Sequence, residues 1–296
     1  GGPMKGVSLS YSVSSVDAFL TVTGLALGAE PPSLSREDFW ITDGTVRALV
    51  ETNGVIYLGG DFNYVGPNVG SGAALDIGTG KPDRSFPRIN GEIRSVISDG
   101  AGGWFIGGSF TSVGGQVRTN LARIRKDQTV DPVWSPNPNG AVRTLALASG
   151  VVYAGGQFSQ ISGQARNNLA ALDAASGEAT AWSPNADGAV NALVLEGGVV
   201  YVGGEFLNIG SRARKRLAAI GAADGTATAW KPDANSSVFA LALALAGNLI
   251  YVGGEFTVVA GAKRGRLAAL DLSSGNATEW SPGADNSVRT LSVAGG

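Results

Sequence analysis

Two kinds of charged side chain recur in this sequence at spacings that could build a chemical site. Carboxylates follow a Gly-Gly pair at Asp61, Glu205 and Glu255. Two carboxyl groups about 5 to 9.5 Å apart suffice for glycoside hydrolysis, so these residues are the candidates for catalysis. The chain has no cysteine and no histidine, which removes thiolate nucleophiles, imidazole bases and nearly all zinc or copper sites. Enzyme chemistry in this protein would therefore rest on carboxylates alone.

The second kind of side chain is cationic and favours binding. An arginine stands three residues before a leucine at Arg118, Arg166, Arg214 and Arg264. Two of these segments carry further cations, at Arg212, Lys215, Arg216, Lys263 and Arg266. Acidic residues lie in proline-containing segments at Asp187, Asp233 and Asp285. We predict that these residues share one loop face that binds a protein or a glycan. The extra cations are predicted to form a solvated rim, and the alternative is a local patch that attracts an anionic glycan or protein.

A structural role competes with binding at the same positions, because a scaffold requirement also recurs once per repeat. Arg214 could pair with Glu205, and Arg264 with Glu255. The networks could also include Arg47, Arg94, Arg143 and Arg289. The Asn and Asp residues of the proline-containing segments are predicted to form turns. The aspartates that begin DIGTG, DAASG and DLSSG are also predicted to form turns. These residues are Asp76, Asp173 and Asp271, and metal binding is the alternative role for them.

Large aromatic residues show what positions these side chains. They recur 46 to 50 residues apart, at Trp40, Phe86, Trp134, Trp182, Trp230 and Trp280. A Gly-Gly pair followed two residues later by phenylalanine recurs in step, beginning at Gly59, Gly107, Gly155, Gly203 and Gly253. A fixed period of this length indicates one supersecondary unit that is stable only when stacked on its neighbours. The Gly-Gly pair is predicted to let a neighbouring backbone or a large ring approach closely, and the Phe and Trp are predicted to pack between repeats.

Each repeat is predicted to form four antiparallel strands. In residues 142–189 the apolar stretches VRTLALA, VVYAGG, LAALDA and EATAW are separated by turn residues. Four strands in about 48 residues are typical of one blade of a β-propeller. We name the strands a to d from the inside outward. The b–c and d–a loops then emerge on one face, which carries the candidate binding residues.

The number of repeats predicts six blades with a composite closing blade. Strand a begins six times, at Val46, Ile93, Val142, Val190, Val238 and Val288, whereas the b and c signatures occur five times. The predicted repeats are 46–92, 93–141, 142–189, 190–237, 238–287 and a partial copy at 288–296. Residues 1–45 would supply the missing strands, which would remove two exposed sheet edges. The alternative is a seven-bladed propeller of which this chain is a fragment.

The pattern VxxLxxxxGxxYxGGxFxxxxGxxRxxLAxLDxxxGxxxxWxP, in residues 142–184 and 190–232, resembles the delta-60 repeat β-propellers of bacterial secreted and surface proteins. The same spacing is similar to kelch repeats, and LDAASGEATAW is similar to blades of quinoprotein propellers. The first resemblance covers residues 40–296 and implies surface roles without fixed catalytic residues. A quinoprotein would imply pyrroloquinoline quinone and calcium, but the adjacent cysteine pair of many such enzymes is missing and the chain is short for eight blades. Kelch-type copper oxidases would need histidine.

Composition narrows the partners. Charged residues are 16% of the chain and its net charge is −2, so no basic field favours nucleic acid. No apolar run is long enough to span a bilayer. We therefore predict a binding or scaffold module of a secreted or cell-surface protein, with no enzymatic activity and no cofactor. The alternatives are a secreted carboxylate-based enzyme such as a glycosidase, and a structural piece of a larger surface assembly.

Overall fold

The computed structural model describes residues 70–73 and 85–293, and the backbone of six short strands before them. The chain divides into two compact units, Gly1–Arg84 and Ser85–Gly296. Among the described residues, no helix has the length and apolar character that a membrane span requires. The predicted boundary between residues 45 and 46 and the composite closing blade stay predictions, because most of residues 1–38 lie outside the described part.

The described strands of the first unit form three antiparallel pairs. Strand β1 pairs with β2, β3 with β6, and β4 with β5. Their bounds are β1 (Val13–Ser14), β2 (Asp17–Ala18), β3 (Trp40–Thr42), β4 (Thr45–Thr52), β5 (Val55–Asp61) and β6 (Val65–Pro67).

The second unit contains four successive blades. Blade I has β7 (Ile89–Ser98), β8 (Trp104–Val113), β9 (Gln116–Val117) and β10 (Leu121–Ile124). Blade II has β11 (Ala141–Ala148), β12 (Val151–Gln157), β13 (Gln160–Ile161), β14 (Gln164–Ala165) and β15 (Leu169–Asp173). Blade III has β16 (Val190–Glu196), β17 (Val199–Gly204), β18 (Asn208–Ile209), β19 (Arg212–Ala213) and β20 (Leu217–Gly221). Blade IV has β21 (Val238–Ala244), a 3₁₀ turn (Leu245–Gly247), β22 (Leu249–Gly254), β23 (Val258–Val259), β24 (Ala262–Lys263) and β25 (Leu267–Asp271).

Strands a, b and c of each blade form the predicted antiparallel meander, but strand d differs from the prediction. In blade II, β11 pairs with β12 and β12 with β15, whereas strand d contributes a single bridge, Leu172 to Ala179. In these four blades a proline lies two residues after the strand d Trp, as Pro184 follows Trp182, and proline cannot donate to a ladder. The b–c loops also contain a short hairpin, such as β13 with β14, where only a loop was predicted.

The two glycines of each Gly-Gly pair have different neighbours. A Cβ on Gly155 would lie 2.5 Å from Cγ1 of Val190, a side chain of the next blade. A Cβ on Gly156 would lie 2.1 Å from the carbonyl oxygen of Ala141 in its own blade. Strand a has an irregular register between Val142 and Thr144, opposite the Gly-Gly pair. The expected close approach of a neighbouring backbone is therefore present, and the other neighbour is a valine rather than a large ring.

The core lies between blades. Three hydrophobic clusters each combine side chains of two successive blades and include the Phe of the second one, at Phe158, Phe206 and Phe256. The Trp residues join the blades as expected, because the indole N–H of Trp182 donates to the Gly221 carbonyl at 2.8 Å. The predicted sixth strand a forms no strand through residue 293, since no described strand lies beside it to pair. Its Val288 still packs against Gly253 as Val190 packs against Gly155.

Candidate functional site

The b–c and d–a loops hydrogen-bond to one another, so they lie on one surface, which we call the b–c face. After blade II, Asn185 accepts a hydrogen bond from the Asn167 N–H at 3.0 Å. Two residues later, Asp187 accepts from the N–H groups of Leu207 and Asn208 in blade III, at 2.7 and 2.9 Å. The d–a loop thus links the b–c loops of two successive blades. Equivalent bonds are formed by Asn137, Asn139, Asp233 and Asn235.

These bonds give the acidic residues of the b–c face a structural role that is wider than a local turn. Burial alone would raise the pKa of the Asp187 carboxyl, but the hydrogen bonds from Asn208 and Leu207 hold this pKa below its usual value. Asp233 accepts from the Lys215 N–H at 2.8 Å and lies 3.7 Å from the Lys231 ammonium. Asp285, at the position equivalent to Asp187, is exposed and contacts no described b–c loop.

The predicted pairing of the repeated arginines with carboxylates is wrong. Arg214 donates to the carbonyl oxygens of Ala213 and Thr228 instead of Glu205. Arg118, Arg166 and Arg264 likewise donate to backbone carbonyl oxygens. The predicted pair of Arg264 with Glu255 is therefore not formed. Because strand d has only one bridge to strand c, its next carbonyl needs another donor, and the forked guanidinium supplies it. These four arginines are structural.

We expect Arg214→Ala to lower the free energy of unfolding by about 2–3 kcal/mol, because the Thr228 carbonyl would lose its donor inside the protein. Arg212 is exposed and forms no ion pair or side-chain hydrogen bond with the described residues. The matched variant Arg212→Ala should therefore change stability by less than about 0.5 kcal/mol. Urea unfolding followed by tryptophan fluorescence measures both values. Equal losses for the two variants would contradict the structural assignment of Arg214.

Arg216 and Arg266 also bind backbone. Both adopt a left-handed conformation, with φ of 67° and 64°, and donate to the carbonyls of Ala234 and Ala284. Asn120 and Asn168 form the same contact in blades I and II. Among the predicted binding residues of the b–c face, those that are exposed and have no described side-chain partner are Arg212, Lys215, Lys263 and Asp285.

The candidate catalytic carboxylates have other partners. Glu205 lies 3.0 Å from the guanidinium of Arg143, so the strand a arginine of the preceding blade, rather than Arg214, pairs with this carboxylate. Glu255 accepts a hydrogen bond from the Ser287 hydroxyl at 3.2 Å. The side chain of Asp61 lies outside the described residues. The two described carboxylates therefore contact an arginine and a serine.

The turn aspartates act on their own backbone, as predicted. Asp173 accepts from the N–H groups of Ala175 and Ser176, and the bond from Ser176 is the largest cause that lowers the pKa of Asp173. Asp271 does the same in blade IV, while Asp76 lies outside the described residues. The described part of the chain brings together no group of three His, Cys, Asp or Glu residues that could hold a metal ion.

A pocket lies on the opposite surface, which carries the a–b and c–d loops and which we call the a–b face. Its volume is about 470 Å³. It is lined by Asp99, Ala101, Arg123, Arg125, Lys126, Asp131, Val133 and Ala175. The loops of blade I provide most of this lining, and the c–d turn of blade II provides Ala175.

An ion-pair network forms the inner part of this pocket. Arg123 lies 2.8 Å from Asp99 and 3.6 Å from Asp131, and Arg125 lies 3.0 Å from Asp131. Burial alone would raise the pKa of both carboxyls. The hydrogen bonds that they accept have the opposite effect and hold each pKa below its ordinary value. Asp99 accepts from Arg123 and Asp131 from Arg125, and both also accept from backbone N–H groups. Both aspartates are therefore charged and fully partnered at neutral pH.

This pocket was not predicted from the sequence, although the residues that form it break the repeat. In blade II the positions of Arg123 and Arg125 are Ala171 and Asp173. The carbonyl that accepts from the repeated arginine belongs to Asp131 in blade I and to Thr180 in blade II. Asp131 lies three residues before Trp134, whereas Thr180 lies only two residues before Trp182, so blade I has one extra residue at this point. Val133, the residue directly before Trp134, is 70% exposed. The sequence signal for this pocket is therefore the departure of these residues from the repeat.

The blades and their joints define the protein as an all-β β-propeller. Sequence comparison then assigns it to a family. A model of the PQQ_2 family, described as outer membrane protein assembly factor BamB, matches residues 127–292, which is more than half of the chain. The chain belongs to this family of PQQ-like β-propellers. A model of a β-propeller domain of unknown function, DUF5122, matches residues 102–132.

Comparison with individual proteins adds little. No curated protein matches the chain significantly. The designed protein Ika8 is 16% identical, with a TM-score of 0.47 and coverage of 84% of this chain and 78% of Ika8. The extracellular domain of BT4673 from B. thetaiotaomicron, described as a one component system, is 15% identical, with a TM-score of 0.44. That match covers 81% of this chain, which spans only 28% of the other. Since both TM-scores are below 0.5, the fold assignment depends on the blades and the family.

Proposed function

We propose that this β-propeller is a non-enzymatic binding module of a secreted or cell-surface protein, and that its b–c face engages an acidic protein or an anionic glycan. The observation that carries the proposal is the contrast between partnered and free cations on this face. Arg118, Arg166, Arg214 and Arg264 hold backbone carbonyls. Arg212, Lys215 and Lys263 are exposed and have no ion-pair partner among the described residues.

The loops that present these free cations are pre-ordered. Asp233 holds the Lys215 N–H at 2.8 Å, and Asn235 holds the N–H groups of Thr257 and Val258 at 2.9 and 3.0 Å. Ordering a loop on binding costs free energy, so a face that is already braced loses less when a partner binds. Several shallow contacts can then add up across neighbouring blades.

The alternative functions have weaker support. A glycosidase would need two carboxyl groups at a suitable separation, whereas Glu205 and Glu255 contact Arg143 and Ser287. A role in a larger assembly agrees with the description of the PQQ_2 family as an outer membrane protein assembly factor. Only the resemblance of the repeat pattern supports a location at a bacterial surface. The same resemblance is the only support for closer kinship with delta-60 or kelch repeats.

The test is charge reversal on the b–c face. The triple variant Arg212→Glu, Lys215→Glu and Lys263→Glu is compared with the wild type for binding to immobilised heparin, an anionic glycan, and to polyglutamate, an acidic polypeptide. We expect binding by the wild type that weakens between about 50 and 300 mM salt, because exposed charges are screened. We expect at least about tenfold weaker binding by the triple variant.

The control is Lys126→Glu, which reverses one charge on the a–b face. It should leave binding to both polymers within about twofold of the wild type. Preference for one polymer would distinguish a glycan partner from a protein partner. The proposal would be wrong if neither polymer bound, or if Lys126→Glu weakened binding as much as the triple variant.

A further inference from the structure

The pocket of the a–b face is built once in the described blades, which distinguishes it from the scaffold. The position of Arg123 is alanine in the later blades, at Ala171, Ala219 and Ala269. The position of Arg125 is occupied there by Asp173, Gly221 and Asp271. A requirement of the blade would have kept one residue type at each position. The cations of blade I are therefore not part of the repeated scaffold.

The charges of this pocket are not balanced. Three cations line it against two carboxylates. Asp99 is occupied by Arg123 and by the N–H groups of Ala101 and Gly103. Asp131 is occupied by Arg125 and by the N–H groups of Val133 and Trp134. Their exposed side-chain fractions are 3% and 7%, so neither carboxylate is available to a ligand.

The positive charge that remains lies at the mouth of the pocket. The side chain of Arg125 is 45% exposed, and Lys126 is exposed with no ion-pair partner among the described residues. Asp127, the next residue, directs its carboxylate to the N–H and hydroxyl of Thr129 and does not line the pocket.

Lys126 is also seated by its surroundings. A Cβ on Gly102 would lie 3.1 Å from both Cγ and Cδ of Lys126, so the stem of the lysine rests on the bare backbone of the a–b loop. Resting the stem there reduces the freedom of the side chain while its ammonium stays in water. The cation is therefore partly pre-positioned for a ligand.

An apolar surface accompanies these cations. Val133, directly before Trp134, is 70% exposed. Ala101 and Ala175 are exposed beside it and line the same pocket. Ligand sites combine such apolar walls with a few polar groups that fix orientation, and a volume of about 470 Å³ suits a small molecule or one side chain of a peptide.

We propose that this pocket binds a carboxylate carried on a short aliphatic chain, with the carboxylate beside Arg125 and Lys126 and the aliphatic part against Val133. The carboxylate belongs either to a free organic acid or to an acidic side chain of a peptide. The site is independent of the b–c face, because it lies on the opposite ends of the strands.

The experiment is a titration with pentanoate and with acetate, followed by the ¹H–¹⁵N chemical shifts of Gly102, Lys126 and Val133. We expect saturable shifts at these amides with a Kd of about 1 mM for pentanoate. Acetate, which lacks the aliphatic chain, should bind at least about fourfold more weakly, as expected for the loss of buried methylene groups.

Three variants locate the interaction. Lys126→Glu should weaken pentanoate binding at least about tenfold, whereas the same change at Lys263, on the b–c face, should leave it within about twofold. Val133→Ser should reduce the preference for pentanoate over acetate, and because Val133 is exposed the variant should fold normally. Chemical shifts of residues far from the pocket verify the fold of each variant.

The peptide N-acetyl-Glu-Val-amide distinguishes the two sources. Binding tighter than that of pentanoate would support the proposal with a peptide as the natural ligand, and weaker binding would support it with a free acid. The proposal is overturned if pentanoate gives no saturable shift at the pocket amides up to about 50 mM. It is also overturned if Lys126→Glu and Lys263→Glu have equal effects.

Discussion

Trp182→Ala is expected to lower the free energy of unfolding by about 3–5 kcal/mol, and Trp280→Ala by only about 1–2 kcal/mol. Trp182 is buried, stacks edge-on against Tyr153 at 5.2 Å and donates to the Gly221 carbonyl of the next blade. Removing it leaves a cavity between two blades, and the Gly221 carbonyl keeps only the Gly225 N–H as its donor. Urea unfolding of both variants, followed by circular dichroism, measures the two losses.

Trp280 is the internal control for this prediction, because it has the same place in its repeat. It stacks against Tyr251 at 4.9 Å but is 41% exposed, and no described residue accepts from its indole N–H. Its removal therefore costs the stacking and part of the burial alone. Equal losses for the two variants would contradict the expectation. They would indicate that another segment packs on Trp280, as the predicted closing blade would.

The repeat could be predicted from the sequence because steric requirements fix residue types at fixed spacings. Only glycine fits where Val190 contacts Gly155, and a large ring is needed where Trp182 joins two blades. Such requirements recur in every blade, so they are visible as periodic residues. The limited pairing of strand d was not predicted. Its residues have strand character, and the proline after the strand d Trp was interpreted as part of a turn rather than as the end of a ladder.

The loop contacts were harder to predict for a physical reason. The partner of Arg214 is the backbone carbonyl of Thr228, and a carbonyl leaves no trace in the sequence, whereas Glu205 was visible and attracted the wrong pairing. The pocket of the a–b face was missed for a related reason. Residues that recur in every repeat identify the scaffold. A site that occurs once is visible only as a departure from the repeat, as at Arg123.

A graded series at three glycines has the other large expected effect. Gly204→Ala should lower the free energy of unfolding by about 3 kcal/mol or more, because its Cβ would lie 2.2 Å from the Ala189 carbonyl oxygen. Gly203→Ala should cost about 1–2 kcal/mol, since its Cβ would meet a methyl group of Val238 at 2.6 Å and a side chain can shift. Gly265→Ala is the control, because its nearest neighbour is 3.6 Å away. It should change stability by less than about 0.5 kcal/mol.

A second substitution separates the two kinds of clash. Val238→Ala removes the methyl groups that meet Gly203, so the double variant of Gly203→Ala and Val238→Ala should lose about 1 kcal/mol less than the sum of the two single losses. Combining Val238→Ala with Gly204→Ala should give additive losses, because the obstacle at Gly204 is the backbone of its own blade. Additivity in both pairs would show that Gly203 does not make room for the next blade. Coupling in the first pair alone would establish that the Gly-Gly pair serves two separate joints, one between blades and one within a blade.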